Sequence, residues 1–150
     1  MKQITIIRHG DSSFIGNNDH DWSRPLSQKG TNECIELAKY LSQNKMLPEK
    51  IICSDAKRTI ETSNIILEKT GWNPKLLDLD NNLYQANLDF LCELIAEQSD
   101  SIEKIILIGH NPGLSILCSK LSNNSIYLST GSCFTIKMEN EFWDINGDIR

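Results

Sequence analysis

Short apolar runs and amphipathic stretches alternate along this chain, and the alternation predicts its elements. Gln3–Ile7 is apolar and β-branched and reads as a strand. Residues 10–21 are rich in Asp, Asn, Ser and Gly and read as a loop. Ser27 is placed to cap a helix running to about Asn44. Its apolar positions Cys34, Leu37, Ala38 and Leu41 fall on one face at helical spacing. Lys50–Cys53 is a second short strand. Ser54 then offers a cap for a helix that ends near Thr70, with Gly71 as its stop signal. Lys75–Leu79 reads as a third strand and Leu88–Gln98 as a helix with Leu91, Leu94 and Ile95 inward. Lys104–Ile108 is the clearest buried strand, and Pro112 sits near the first turn of a helix reaching about Leu121. Cys133–Met138 and Phe142–Ile145 are expected as late strands.

Strands alternating with helices predict an α/β domain with a mostly parallel central sheet and helices on both faces. At 150 residues a single domain over 1–150 is expected. No internal repeat, low-complexity segment or linker interrupts it.

Charge and cysteine content narrow the function classes. A net charge of −5 and a pI near 5.2 argue against a nucleic-acid partner or an anionic membrane surface, which call for a clustered basic face. No apolar run approaches the roughly 20 residues that span a bilayer. The N-terminal run is too short for a signal-peptide core. Cys34, Cys53, Cys92, Cys118 and Cys133 are odd in number and widely spaced, so reduced thiols in a cytoplasmic protein are expected. Nothing in the sequence demands assembly, and a monomer is expected.

An acidic protein can still hold one cationic pocket, and the strand exits supply its parts. In open α/β sheets ligands bind beyond the carboxyl ends of the strands. Arg8-His9-Gly10 follows the first strand, Ser54 to Thr59 with Arg58 follows the second, and Gly109-His110-Asn111-Pro112-Gly113 follows Lys104–Ile108. Two arginines and two of the three histidines thus reach one edge. Arginine offers planar paired donors to phosphate oxygens. Helix starts after Ser54 and Asn111 would add N–H groups and a positive dipole end. Gly10 allows close backbone approach. A neutral histidine at a strand end can attack phosphorus, and neighbouring arginines disfavour its protonation.

Five blocks, Ile6-Ile7-Arg8-His9-Gly10, Arg24-Pro25-Leu26-Ser27 with Gly30, Ser54 to Thr62, Leu83-Tyr84 and Ile108 to Gly113, resemble the histidine phosphatase superfamily in its order. The short length and the Arg-Pro-Leu-Ser segment resemble its short phosphohistidine phosphatase (SixA-like) branch. The resemblance implies a phosphoglycerate mutase-like fold, His9 as nucleophile, Arg8, Arg58 and His110 as phosphate ligands, and no metal or cofactor. It implies two steps: phosphoryl transfer to His9, then hydrolysis, with Arg8, Arg58 and an at least partly protonated His110 stabilising the charge. Arg24, Gly10 and Asn111 are expected to contact substrate. Arg24 anchoring its loop to an acid such as Asp21, and Arg58 pairing with Glu61 or Glu36, are the plainer alternatives. Trp22 is read as stapling its loop and His20 as solvated.

One departure bears on substrate. Many members carry a carboxylic proton donor just before the Leu-Tyr block, where this chain has Asn81 and Asn82. An alkoxide leaves poorly without an acid. A phosphorylated imidazole departs neutral once its far nitrogen is protonated. This favours phosphohistidine on a protein as substrate, unless Asp11, Asp21 or Asp80 supplies the acid. The short segments between motifs add the expectation of a shallow, open site. A small phosphoester phosphatase or phosphomutase-like enzyme, and an inactive module that reads phosphate, are the alternatives.

Overall fold

The computed structural model describes residues 1–13 and 20–145. Nine regular elements follow in chain order: β1 (Lys2–Arg8), α1 (Gln28–Gln43), β2 (Lys50–Ser54), α2 (Lys57–Thr70), β3 (Leu77–Asp80), α3 (Leu88–Ala96), β4 (Lys104–Gly109), α4 (Gly113–Ser122) and β5 (Cys133–Met138). Short 3-10 turns lie at Asp21–Ser23, Pro74–Leu76 and Asn81–Leu83.

One five-stranded sheet has the order β3-β2-β4-β1-β5. All neighbours are parallel except β5, which runs antiparallel to β1. The two central strands are apolar on both sides, as a sheet covered on both faces requires. Ile105 and Leu107 face one layer with Ile4, Ile6, Leu91, Ile95, Leu114 and Leu117. Ile106 and Ile108 face the other with Ile7, Leu37, Leu41 and Ile66. So α3 and α4 cover one face and α1 and α2 the other. Burying each such side chain contributes about 1.5–3 kcal/mol. This is the α/β domain with helices on both faces that the alternation predicts. Among the described residues, no helix is long and apolar enough to cross a membrane.

Ser27 caps α1, its hydroxyl accepting from the Gly30 N–H at 3.0 Å, and Gly71 ends α2 with φ of +77°. Other boundaries differ from expectation. Ser54 closes β2 instead of capping α2, whose N-cap is Ala56 without a side-chain bond. The third strand begins at Leu77, because the Asn73 side chain accepts from Lys75 N–H and turns the preceding residues. Phe142–Ile145 forms no strand. Trp143 and Ile145 are buried in the α3/α4 layer, and the Trp143 indole donates to the Ile102 carbonyl at 2.8 Å. The alternation there records packing without a ladder partner. Within the predicted 10–21 loop, Ser12 bridges to Leu26; residues 14–19 lie outside the described residues.

Candidate active site

The register of β1 against β4 pairs Arg8 with Gly109. The next residue on each strand is a histidine, so sheet geometry alone sets His9 beside His110, with ring centroids 5.2 Å apart. β2 pairs with β4 up to Cys53 and Ile108. Its last residue, Ser54, therefore reaches the same edge, and its hydroxyl lies 2.8 Å from His110 Nε2. In the first turn of α2, Arg58 lies over the edge and its Nε donates to His9 Nε2 at 3.3 Å. Arg8, His9, Arg24, Arg58, His110 and Asn111 line one cavity of about 220 Å³, with Asp11, Ser12 and Thr130.

The His9 ring is oriented by its own loop. Its Nδ1 lies 2.6 Å from the Gly10 carbonyl, which only accepts, so Nδ1 carries the proton and the unprotonated Nε2 turns its lone pair to the Arg58 N–H. Gly10 is held in turn: its N–H donates to Thr62 Oγ1 at 3.1 Å. A Cβ on Gly10 would meet the Gly30 carbonyl at 2.6 Å, so α1 closes against this loop only where no side chain intervenes.

Both histidines are neutral at neutral pH. Burial, reinforced by Arg58, Arg8 and Arg24 and opposed by the Gly10 carbonyl, lowers the His9 pKa to about 4. Burial, followed by His9 and Arg58, lowers that of His110 to about 3. The expectation of a partly protonated His110 is therefore corrected: a recessed ring beside another imidazole and an arginine does not hold a proton. His9 and His110 are 7% and 8% exposed, so the two rings are recessed instead of lying in a shallow site.

Two buried polar atoms in this cavity, Arg8 Nε and His110 Nδ1, have no partner among the described residues. Arg8 is anchored through its Nη1, which donates to Tyr127 Oη at 3.0 Å and the Leu128 carbonyl at 3.1 Å. Arg24 is committed to protein: to Asp21 Oδ1 at 2.9 Å, Ser12 Oγ at 2.5 Å and Ser13 O at 3.3 Å. The Asn111 amide braces the loops, donating to the Leu128 carbonyl at 2.8 Å and accepting from Ser115 Oγ at 2.8 Å.

Arg58 pairs with neither Glu61 nor Glu36 but with Asp21, at 3.0 Å between Nη2 and Oδ2. The sequence offers Ser54 only as a helix cap within a motif block, shows Tyr84 only as part of the Leu-Tyr block, and gives no signal for Tyr127. Tyr84 packs edge-on to His110 with centroids 5.4 Å apart. Trp22 staples its loop through an indole bond to Asp55 at 3.1 Å, and His20 is exposed. Among the described residues no cluster of three or more His, Cys, Asp or Glu is disposed to hold a metal ion.

The family model of the histidine phosphatase superfamily (branch 1) matches residues 4–83, more than half of the chain and the stretch that carries Arg8, His9 and Arg58. The chain belongs to the histidine phosphatase superfamily. Among its relatives, an uncharacterized chloroplastic protein of Arabidopsis thaliana is 28% identical over 151 residues, covering 95% of this chain and 69% of that protein. Phosphoglycerate mutase 1 of Saccharomyces cerevisiae is 33% identical over 78 residues, 49% of this chain and 32% of the mutase. In solved structures the fold recurs in the protein histidine phosphatase SixA complexed with tungstate (TM-score 0.80, 21% identity, 91% of this chain and 88% of that one). It recurs also in mycobacterial glucosyl-3-phosphoglycerate phosphatase (TM-score 0.69, 14% identity, 96% and 94%). At these identities the likeness is one of fold, which this histidine phosphatase superfamily member shares with proteins named for different substrates.

Proposed function

We propose that the chain is a phosphatase that carries the phosphoryl group on His9 Nε2 and acts on phosphohistidine in a protein. The observation that carries this reading is the unprotonated Nε2 of neutral His9, its ring fixed by the Gly10 carbonyl, in a cavity with two buried atoms that have no partner among the described residues. Arg8 Nε–H and Arg58 Nε–H are donors for equatorial oxygens. The Ser54 hydroxyl, donating to His110 Nε2, leaves the proton on Nδ1 and makes neutral His110 a third donor. Preorganised donors of this kind supply most of the stabilisation in phosphoryl transfer.

In the first step the Nε2 lone pair of His9 attacks phosphorus. The bond from phosphorus to the substrate's imidazole breaks, and its electron pair returns to that ring, which leaves neutral because its far nitrogen is protonated. Water then attacks the phosphohistidine. His9 departs neutral, since its Nδ1 already bears a proton held by Gly10.

A P–N substrate is favoured by the lack of a ready acid. Asn81 and Asn82 cannot donate, and Asp21 stays ionised, its pKa lowered to about 2 by hydrogen bonds from Tyr84 and then Arg24, together with Arg58. Asp11 lines the cavity, but its carboxylate accepts from Ser27 Oγ at 2.6 Å. The cavity's volume suits a phosphoryl group and the first atoms beyond it. Turnover of a phosphohistidine peptide measured beside a phosphoserine peptide and a sugar phosphate tests the reading. The phosphohistidine peptide is expected to be cleaved fastest; faster cleavage of either ester rejects the substrate assignment.

A further inference from the structure

Asp21 is not among the residues lining the cavity, yet among the described residues outside that lining it makes the most hydrogen bonds to residues of the site. Its backbone carbonyl accepts from Arg58 Nη1 at 2.6 Å and its Oδ2 from Arg58 Nη2 at 3.0 Å. The same Oδ2 accepts from Tyr84 Oη at 2.5 Å, and Oδ1 from Arg24 Nη1 at 2.9 Å. The neighbouring Trp22 is tied to Asp55 at the start of α2.

A guanidinium is rigid and planar, so fixing both terminal nitrogens fixes the direction of the third N–H. That third N–H is the one directed at His9 Nε2. Arg58 therefore reaches the reacting nitrogen by its Nε alone, and its outer fork is occupied by Asp21. A loose surface ion pair would contribute little. This one differs, because the Arg58 side chain is only 8% exposed and is bound at two atoms. Tyr84 adds a second restraint, packing below Arg58 and against His110.

We propose that Asp21 is the positioning residue of this site: it grips the outer edge of Arg58 so that the Nε–H is aimed at His9 Nε2 and at the phosphoryl group bound there. The inference rests on His9 being the phosphoryl carrier. Asp21 acts through Arg58 and does not itself touch the phosphoryl group or move a proton. Its ionised state at neutral pH suits this task.

The test reads the rate at which phosphoramidate phosphorylates His9, by intact-protein mass spectrometry, together with the Arg58 Nε–H resonance in protein labelled with ¹⁵N-arginine. Wild type comes first: if it takes no label on His9, the functional reading fails and Asp21 is not at issue. With wild type labelled, Asp21→Ala is expected to lower the saturating rate by about 100-fold, the size of effect that follows misaiming a catalytic group. The half-saturating donor concentration should change much less, and the Nε–H resonance should shift or broaden. A loop that served only as an anchor would move neither the saturating rate nor that resonance in folded protein. A saturating rate within about threefold of wild type, or an unchanged resonance, overturns the proposal. Should Asp21→Ala fail to fold, Asp21→Asn decides: a displaced Arg58 Nε–H signal supports it and an unmoved one overturns it.

Discussion

Arg58 Nε donates to His9 Nε2 across 3.3 Å, joining the first turn of α2 to the end of β1 at the nitrogen that holds the free lone pair. The contact is long for a charge-assisted bond. In the free protein burial, with Arg58 adding to it, keeps His9 unprotonated; in the proposed reaction an arriving phosphoryl group would insert between the two nitrogens.

Arg58→Lys should therefore fail although it keeps the charge. One ammonium cannot hold Asp21 by two atoms and reach His9 as well. A fall in kcat of about 10²–10³ is expected, the usual cost of a lost transition-state donor. Steady-state kinetics on the phosphohistidine peptide checks it; near-normal kcat would show that charge alone suffices.

The imidazole ¹⁵N spectrum should show His9 as the Nδ1–H tautomer, neutral from pH 7 down to about pH 4. His110 should stay neutral to about pH 3. Titration of either ring near the unperturbed value of about 6.5 would contradict the burial argument.

Stability should follow from the same two groups. Both pKa values are lower in the folded chain than the unfolded reference of 6.5. Between that reference and the folded values the unfolded chain binds more protons. Stability is then full above pH 6.5 and declines as pH falls towards 4 and 3, on the order of 1.4 kcal/mol per pH unit for each histidine. Urea unfolding from pH 7.5 to 5 checks it, and His9→Asn should remove about half of the slope.

Ser54→Ala removes the hydroxyl that lies 2.8 Å from His110 Nε2 and that, in the proposed reaction, leaves the proton on Nδ1. A stability loss of about 1 kcal/mol is expected. A fall in kcat of about tenfold should accompany it, as His110 loses its fixed donor direction. Urea unfolding and steady-state kinetics on the same preparation separate the two effects. Unchanged kcat would place His110 outside the phosphoryl contacts.

The strand exits were legible because Ile4–Ile7, Ile51–Cys53 and Ile105–Ile108 are apolar on both faces, and polar residues follow each run abruptly. Once β1 and β4 are neighbours, the adjacency of His9 and His110 follows from register. Ser54 misled as a helix cap because its hydroxyl is claimed by His110, 56 positions away. Phe142–Ile145 misled because buried Trp143 and Ile145 alternate like strand residues while packing under α3 and α4. Asp21 lies in a stretch with no periodicity, and its contacts depend on where α2 and Tyr84 come to rest. The neutral state of His110 was illegible for a related reason: it is set by burial depth, which no local pattern carries.

In the proposed reaction the phosphoryl group resides on His9 Nε2. Incubation with phosphoramidate, rapid quenching at alkaline pH, ³¹P NMR and peptide mapping test it most directly. A single phosphoramidate signal mapping to His9 and bonded through Nε2, absent from His9→Ala, is predicted. Label on Nδ1, on another residue, or undiminished in His9→Ala would contradict the account.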